Sequence, residues 1–324
     1  MTQRMTVVGP LNIDLFIRGT APVDAAALNE WVGPADVEML VAGSVGYTVQ
    51  DLALLGWEVS VVSTVGSDGF GAFIVEEMER RRVDTSFVVT APGDTTMAIY
   101  MMLFGGVKRP MTYRLGQYEP WPDPIPSEAL RGVDALHCGG LLHFPDMWHR
   151  SLVDAFASMR RGGLKTSLDP QFPLVETPPP WLPHIVDVLE HVDVLLVDER
   201  EGCALFNVLD VSQVIEAAHE LGVSTVAVKR GSEGAVLSDG HMVLEQPAVD
   251  IDPASIRDAV GAGDAFDAGF LTALWRSHNL ARAGRLATAA AALTLTGRGG
   301  SESLFSAEAV VTMAERVPPP RTIG

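Results

Sequence analysis

The sequence has 324 residues, which is enough for one large α/β domain or two smaller ones. Because 47% of the residues are apolar and only 20% are charged, the chain can bury a substantial core, which excludes a disordered protein. The formal net charge of −18 excludes a surface that attracts nucleic acid or anionic lipid as a whole, although a local basic pocket could still bind a phosphorylated ligand.

Cysteine usage and the N-terminal segment bear on the compartment. Cys138 and Cys203 form neither a disulfide framework nor a metal-spaced pair, which indicates a reducing environment. The N-terminus has no basic start followed by an apolar stretch of signal-peptide length. No window approaches about 18 uninterrupted apolar residues, the length that would predict a membrane span. We therefore expect a soluble, cytoplasmic protein.

The first predicted strand, residues 6–9, is short and apolar and ends at a glycine. Asn12 and Asp14 follow at alternate positions, so their side chains point the same way if the segment is extended. They could hydrogen-bond a polyol, or they could be turn residues. A second glycine turn, residues 42–47, then precedes a predicted helix over residues 48–55.

Two segments lack the alternation of strand and helix that the rest of the chain shows. Residues 15–41 have no strong helical period and contain several glycines and prolines. Residues 95–115 have the pattern of two strands around a turn at residues 105–106, without a crossover helix. We therefore group the two segments as a second, smaller layer.

Outside these segments, strands and helices alternate. Strands are predicted at residues 59–65, 135–138, 166–168, 192–197 and 225–229, and helices around residues 73–78, 148–159, 212–221, 263–276 and 281–296. Alternation of this kind predicts a parallel sheet with helices on both faces, which binds ligands at the carboxyl ends of its strands. The residues that fall just after predicted strands or at a helix start are Asp14, Asp169, Asp198, Gly231 and Asp264.

A glycine-rich stretch before the helix at residues 263–276 has the pattern of a phosphate site. Gly261 and Gly263 let the backbone turn tightly, so that N–H groups at the helix start can face one way. Such donors, together with the helix dipole, bind phosphate. Since a carboxylate beside phosphate would suffer charge repulsion, we interpret Asp264 as the base that deprotonates an attacking hydroxyl; the alternative is a helix cap.

With these motifs, the chain resembles the ribokinase-like (PfkB) carbohydrate kinases along nearly its whole length. The most specific match is Asp258-Ala-Val-Gly-Ala-Gly-Asp-Ala-Phe, which is similar to the family's C-terminal signature. Residues 9–14 are similar to the N-terminal substrate-binding stretch. Residues 42–46 and 65–71 resemble the first signature, and residues 228–234 resemble the nucleotide-binding loop.

The resemblance implies a ribokinase-like doubly wound α/β fold and a kinase that uses ATP and Mg²⁺. It implies Asp264 as the base and Gly261, Ala262 and Gly263 as the anion hole. The residues it assigns to the acceptor are Asn12, Asp14, Gly43, Ser44, Tyr47 and Asp169. Those it assigns to the nucleotide and, indirectly, to Mg²⁺ are Asp198, Glu201, Lys229, Gly231, Gly234 and Thr288. The positions that match the K⁺ site of potassium-activated members are Asp258, Val260, Thr294, Gly297, Gly299 and Ser303.

The resemblance also implies a division of the chain into two parts. Residues 1–14, 42–95 and 116–324 would form the α/β core that binds nucleotide and substrate. Residues 15–41 and 96–115 would form a β-sheet lid through which two subunits pair as a homodimer.

Four positions depart from the family pattern. Tyr47 stands where the family usually has an asparagine that contacts sugar hydroxyls. The family's Asn-x-x-Glu appears as Asp198-Glu-Arg-Glu201, its Asp-Pro-Asn as Asp169-Pro-Gln171, and Thr288 replaces an asparagine near the adenine. None of these lies at the base or the anion hole. The first two change how acceptor and metal are held.

The leading hypothesis is therefore ATP-dependent phosphorylation of a hydroxyl of a sugar or a sugar-like small molecule. A nucleoside kinase of the same fold is an alternative, because Tyr47 offers a ring face on which a base could stack. Equally, Tyr47 could turn away and pack under the lid. A sugar- or nucleotide-sensing protein without catalysis is another alternative. No Gly-x-Gly-x-x-Gly follows the first strand and no Walker sequence occurs, so we expect neither a dinucleotide oxidoreductase nor a Walker-type NTPase.

Overall fold

The computed structural model describes residues 3–21, 24–102, 111–114, 116, 122–143, 150–174, 176–257, 259–297 and 306–323. Its strands are β1 (Arg4–Val8), β2 (Asn12–Gly19), β3 (Ala35–Ala42), β4 (Glu58–Gly66), β5 (Asp84–Ala91), β6 (Met97–Met102), β7 (Met111–Arg114), β8 (Ala135–Gly139), β9 (Lys165–Asp169), β10 (Val194–Asp198), β11 (Thr225–Lys229), β12 (Ala235–Ser238), β13 (Val243–Gln246) and β14 (Arg321–Thr322). Its helices are α1 (Ala25–Asn29), α2 (Gly46–Leu54), α3 (Gly69–Arg80), α4 (Arg150–Arg161), α5 (Leu182–Leu189), α6 (Glu199–Phe206), α7 (Val211–Glu220), α8 (Ala262–Ser277), α9 (Leu280–Thr296) and α10 (Ala307–Arg316).

Ten of these strands form one large sheet, in the order β14-β13-β12-β11-β10-β9-β8-β1-β4-β5. The strands from β11 to β5 in this order pair in parallel, whereas β12, β13 and β14 pair antiparallel at one edge. Strand β1 pairs with β4 on one side and with β8 on the other, so the chain order reverses at β1. The predicted doubly wound, mainly parallel sheet is confirmed.

The central strands are apolar on both faces, because helices cover both. Val7 and Leu196 belong to one core cluster, and their neighbours Val8 and Val197 belong to a second one. This is because successive side chains of a strand point to opposite faces of the sheet. Helices α2, α3, α8, α9 and α10 contribute to the first cluster, and α4 to α7 contribute to the second. Among the helices of the described residues, none is long and apolar enough to cross a lipid bilayer.

A separate four-stranded sheet has the order β3-β2-β6-β7. Strand β2 pairs antiparallel with β3 and parallel with β6. Because β2 begins at Asn12, both Asn12 and Asp14 lie in this small sheet and outside the large one. The division of the chain into core and lid stays a prediction, and so does the pairing of subunits through the lid.

Differences between the predicted and the observed elements are concentrated in short segments. The sequence pattern did not reveal α1, β5, α5, α6, α10 or β14. Helix α6 has only eight residues, too few to establish a helical period. The predicted turn at residues 105–106 and the start of the helix predicted from residue 148 lie outside the described residues.

Helix α2 places a carboxyl group inside the core. Asp51 is 0% exposed, and neither of its side-chain oxygens forms a hydrogen bond within the described residues. Burial raises the pKa of Asp51 well above its usual value, the negative charge of Asp264 raises it further, and Arg81 lowers it. The fold therefore favours the protonated form of Asp51, whose unsatisfied polar atoms cost about 1–3 kcal/mol each.

Replacing Asp51 with asparagine should stabilise the protein increasingly as the pH rises. Because the pKa of Asp51 is higher in the folded chain than in the unfolded chain, folding takes up a proton. The contribution of this proton uptake to stability is complete below the unfolded pKa of 3.8 and is lost as the pH rises towards the folded-state pKa. The free energy of unfolding of Asp51→Asn, minus that of the wild type, should grow by about 1.4 kcal/mol per pH unit over this range.

Urea unfolding at several pH values measures this difference. Asp250→Asn is the matched control, because residue 250 is exposed and its carboxyl stays in water in both states. A difference for Asp51→Asn that does not change with pH would contradict the prediction.

Candidate active site

Helix α8 begins in a tight glycine turn. Gly261 precedes the helix with φ of +79°, in the left-handed region that favours glycine. The first N–H groups of a helix have no partner within the helix, and here they include that of Gly263. Ala262 already donates its N–H to the carbonyl of Ala259 at 3.3 Å. The turn thus presents donors at the positive end of the helix dipole, which is an arrangement that binds phosphate.

Asp264 lies in the first turn of α8, and its Oδ1 accepts a hydrogen bond from Thr48 Oγ1 at 3.1 Å. Burial raises the pKa of Asp264 to about 6, with a further increase from the charge of Asp169, while Lys229 and the bond from Thr48 act in the opposite direction. At neutral pH such a carboxylate is ionised, yet it is a stronger base than an ordinary aspartate. This is the state that proton removal from a hydroxyl requires.

Lys229 is the central cation of the site. Its Nζ lies 2.9 Å from Asp169 Oδ2 and 3.1 Å from Asp267 Oδ1. Asp169 and Lys229 end β9 and β11, which flank β10, and parallel strands bring their carboxyl ends to one edge of the sheet. The predicted residues Asp169, Lys229 and Asp264 therefore lie around one point.

Asp267 is a residue of this site that the sequence analysis missed. It is 1% exposed and hydrogen-bonds Lys229. Burial raises the pKa of Asp267 well above its usual value, and its contact with Asp169 acts in the same direction, against the effect of Lys229. The available signal was its position three residues after Asp264, because residues spaced by three lie on the same side of a helix.

The predicted acceptor residues Asn12 and Asp14 point the same way, as their alternate spacing required. Asn12 Nδ2 donates to Asp14 Oδ1 at 3.1 Å, and the hydroxyl of Tyr47 donates to Asp14 Oδ2 at 2.9 Å. Tyr47 is 3% exposed and packs against Phe16 and Leu40 beneath the small sheet. Its ring is thus buried, while its hydroxyl occupies one acceptor position of Asp14.

The glycine turn between β3 and α2 contacts the loop that follows β8. Ser44 Oγ lies 2.8 Å from His143 Nδ1, and a Cβ on Gly140 would lie 2.0 Å from Ser44 Oγ, so this approach requires glycine at residue 140. Burial lowers the pKa of His143 to about 4, which keeps the imidazole neutral. Gly43 has φ of +101° in the same turn. His143 is therefore a neighbour of the predicted acceptor residues that the sequence analysis did not name.

Asp198 and Glu201 form a capping box at the start of α6. Asp198 Oδ1 accepts from Arg200 N at 2.8 Å, and Glu201 Oε2 accepts from Asp198 N at 3.1 Å. Burial raises the pKa of Glu201 to about 7, and Asp169 raises it further, whereas Lys229 lowers it. These two residues thus stabilise a helix start, as well as lying beside the predicted nucleotide site.

The donor set fits Mg²⁺ only indirectly. Within the described residues, no three carboxylate, histidine or cysteine side chains form a group that could hold a metal ion. Asp198 and Glu201 each use one oxygen in the capping box, which leaves their other oxygens to bind metal-coordinated water. Since Mg²⁺ keeps several waters and binds substrate phosphates, this set is compatible with Mg²⁺ held mainly by a nucleotide.

The other residues predicted to bind the nucleotide lie in the loop that follows β11 and on α9. Gly231 begins a short 3₁₀ turn and has φ of +55°, and Gly234 ends it with φ of +88°. Thr288 is 6% exposed on α9, and its hydroxyl makes no hydrogen bond within the described residues. A buried hydroxyl without a protein partner is suited to a ligand contact.

The predicted K⁺ site is described only in part. Val260 is partly buried beside the small sheet, and the Thr294 carbonyl accepts the N–H of Gly297 at 3.2 Å. Arg257 N donates to the Leu295 carbonyl at 2.9 Å, so the segment before the glycine turn runs beside the end of α9. The remaining predicted ligands lie outside the described residues: Asp258, Gly299 and Ser303.

The chain is similar to known proteins over nearly its whole length. The family model described as pfkB family carbohydrate kinase matches residues 5–307. The chain belongs to this pfkB family. The prediction of an ATP-dependent carbohydrate kinase is thereby confirmed at the level of the pfkB family, and the ribokinase-like fold is confirmed by solved structures.

Relatives of this pfkB protein act on different small molecules. The 2-dehydro-3-deoxygluconokinase of Thermoproteus tenax is 33% identical over 283 residues, which cover 83% of each chain. The ribokinase of Arabidopsis thaliana, solved with ribose and ATP, is 22% identical with a TM-score of 0.77, over 97% of this chain and 99% of that one. A candidate ribokinase II from E. coli, solved with ATP and Mg²⁺, is 20% identical with a TM-score of 0.80, over 98% and 100% of the two chains.

The hydroxyl of Thr48 should set the pH at which this pfkB site becomes active. Thr48→Val removes the hydrogen bond to Asp264 without a large change in volume, so the pKa of Asp264 should rise. The acidic limb of the kcat/KM profile should therefore move to higher pH, with little change of the plateau. Thr48→Ser keeps the hydroxyl and serves as the control. An unshifted limb in Thr48→Val would show that this bond does not tune Asp264.

Proposed function

We propose that this protein transfers the γ-phosphoryl group of ATP to a hydroxyl group of a small sugar or sugar acid, with Asp264 as the general base. The observation that carries the proposal is the position of Asp264 in the first turn of α8, beside the glycine turn, with a pKa raised to about 6. Family membership supports the reaction class.

In the proposed reaction, Asp14 hydrogen-bonds the acceptor and orients it. Asp264 accepts the proton of the reacting hydroxyl at a carboxylate oxygen while that hydroxyl oxygen forms a bond to the γ-phosphorus. The bond between this phosphorus and the β,γ-bridging oxygen breaks, and ADP leaves with the electron pair. The N–H groups of the turn that are not bonded within the protein, such as that of Gly263, would stabilise the charge of the transferring group.

Mg²⁺ would supply neutralisation of the nucleotide phosphates when it is bound. Asp198 and Glu201 would hold it through water. Gly231, Gly234 and Thr288 would contact the nucleotide.

For the acceptor we propose a sugar acid such as 2-dehydro-3-deoxygluconate as the first compound to test. The relative from Thermoproteus tenax is named for this acceptor. Tyr47 supports the choice, because its single hydroxyl already bonds Asp14 and its ring fills the space of a shorter amide. A second adjacent hydroxyl on the acceptor would find fewer partners there, at a cost of about 1–3 kcal/mol. A 3-deoxy compound lacks such a hydroxyl.

The nucleoside kinase alternative loses its main support. It depended on an accessible ring at Tyr47, whereas this ring is buried beneath the small sheet. The alternative of a non-catalytic sensor is less compatible with an Asp264 whose pKa suits proton transfer.

A coupled ADP-release assay tests the proposal. The panel contains 2-dehydro-3-deoxygluconate, gluconate, ribose, fructose, ribose 1-phosphate and cytidine, each with ATP and Mg²⁺. We expect the highest kcat/KM for the 3-deoxy sugar acid. A preference for ribose or fructose would reject the argument from Tyr47, and a preference for cytidine would reinstate the nucleoside kinase.

Asp264→Asn should keep the fold and nucleotide binding but lower kcat by about 10²–10⁴-fold, because the amide cannot accept the proton. In the wild type, kcat/KM should rise with pH around a midpoint of about 6, where Asp264 loses its proton. Nucleotide binding by the variant, measured by calorimetry, separates lost catalysis from lost folding. Near-normal turnover of Asp264→Asn would remove Asp264 as the base.

We also propose that K⁺ raises the activity, as it does in potassium-activated members of the family. Initial rates in KCl should exceed those in NaCl or LiCl at equal ionic strength. The carbonyls of Val260, Thr294 and Gly297 would contribute to the ion site. Equal rates in the three salts would reject this proposal and leave the kinase assignment unaffected.

A further inference from the structure

The surroundings of Lys229 are unusual for a lysine that only balances charge. Its side chain is 14% exposed, and it lies between two carboxyl groups whose side chains are 6% and 2% exposed, those of Asp169 and Asp267. It hydrogen-bonds both oxygens of Asp267, at 3.1 and 3.2 Å. A charge buried this deeply requires close partners. Here the lysine lies on β11, and its two partners lie on β9 and α8.

The pKa values of the two carboxyl groups are shifted in opposite directions. Burial by itself raises the pKa of Asp169. Lys229 and a hydrogen bond from Asp267 nevertheless hold this pKa below its usual value. The pKa of Asp267 is raised well above its usual value by burial and by Asp169. Burial by itself lowers the pKa of Lys229, but the acidic groups around it, Asp169 foremost, raise this pKa above its usual value. These directions favour a set of one ammonium ion, one carboxylate and one neutral acid.

The ammonium group also lies beside the glycine turn. A Cβ built on Gly263 would be 3.8 Å from Lys229 Nζ, so the open space above Gly263 is within contact distance of the cation. Gly263 belongs to the turn whose N–H groups face the predicted phosphoryl position. A phosphoryl oxygen held by this turn would therefore meet Lys229 as well as the backbone donors.

We propose that Lys229 is a catalytic residue that contacts the transferring phosphoryl group beside residues 261–263, and that Asp267 is the positioning residue that keeps the ammonium group there. The inference rests on the proposed kinase function. It adds a role at the γ-phosphoryl group to a lysine that the sequence motif places only in the nucleotide-binding loop.

The state of Asp267 explains how Lys229 can serve a phosphoryl group. Two ionised carboxylates would overcompensate the lysine and repel phosphate, whereas one carboxylate and one acid leave the three groups neutral as a set. Lys229 remains an ammonium ion throughout, and the proton of the acceptor hydroxyl goes to Asp264. The contribution of Lys229 is purely electrostatic.

Nucleotide affinity tests the proposal without any acceptor. We would measure the Kd values of ADP and of the β,γ-imido analogue of ATP at fixed free Mg²⁺, by calorimetry. Lys229→Met should weaken the analogue by about 10- to 100-fold, the loss expected for a hydrogen bond to a charged group, and ADP by less than about threefold. Asp267→Asn, which preserves a neutral hydrogen-bonding group, should keep the ratio of the analogue Kd to the ADP Kd within about threefold of the wild type. Asp267→Ala should raise this ratio by more than that.

Lys165→Met is the matched control. Lys165 is a half-buried lysine that begins β9, at the end of the strand opposite Asp169, and it donates to the Trp275 carbonyl at 3.1 Å. Its loss should change the Tm but not the ratio of the two Kd values. A purely structural role of Lys229 would give the same result as this control. If Lys229→Met does not fold, the Asp267→Ala arm, which keeps the lysine, carries the test.

The outcomes separate this inference from the proposed function. Equal weakening of ADP and the analogue in Lys229→Met, or no weakening of either, would overturn the role of Lys229. If Asp267→Asn raised this ratio as much as Asp267→Ala does, the neutral state of Asp267 would be wrong. Absence of ADP release with every acceptor would count against the proposed function, and the Kd ratios would still decide on Lys229.

Discussion

The ammonium group of Lys229 joins three parts of the molecule that are far apart in sequence. It binds Asp169, 60 residues earlier, and Asp267, 38 residues later. Because removing one partner of a buried ion pair leaves an uncompensated charge, these contacts fix α8 against the ends of β9 and β11. The glycine turn that starts α8 is held with it, so the same contact also positions the predicted anion hole and Asp264.

The site gathers acidic groups in a protein whose net charge is already −18. Burial and mutual repulsion raise the pKa values of Asp264 and Glu201 to about 6 and 7. Part of the negative charge is thereby removed, which lowers the repulsion that an incoming phosphate would meet. Asp51, one helical turn after Thr48, extends this acidic region into the core at a cost in stability. An acidic protein can thus hold a phosphate site, provided that its carboxyl groups are buried and one cation lies among them.

The surroundings of the predicted acceptor residues depend on the close packing of two loops. The approach of Ser44 to Gly140 brings the turn before α2 against the loop after β8. Above this contact, the small sheet places Asp14 within hydrogen-bonding distance of Tyr47. The tyrosine therefore alters the site in two ways, since it occupies an acceptor position on Asp14 and fills volume beneath the small sheet. Both effects are the basis for proposing an acceptor with fewer neighbouring hydroxyl groups.

The alternating strands and helices, the parallel sheet, and the glycine turn that leads into Asp264 could all be predicted from the sequence. These features follow from local causes: β-branched runs, helical periods, and a backbone at Gly261 that only glycine adopts readily. Tertiary structure alone decided that Asp267 faces Lys229, that the ring of Tyr47 is buried while its hydroxyl bonds Asp14, and that Asp198 caps a helix. The physical reason is that burial, pKa values and ion pairs depend on groups brought together from distant parts of the chain, which no local pattern records.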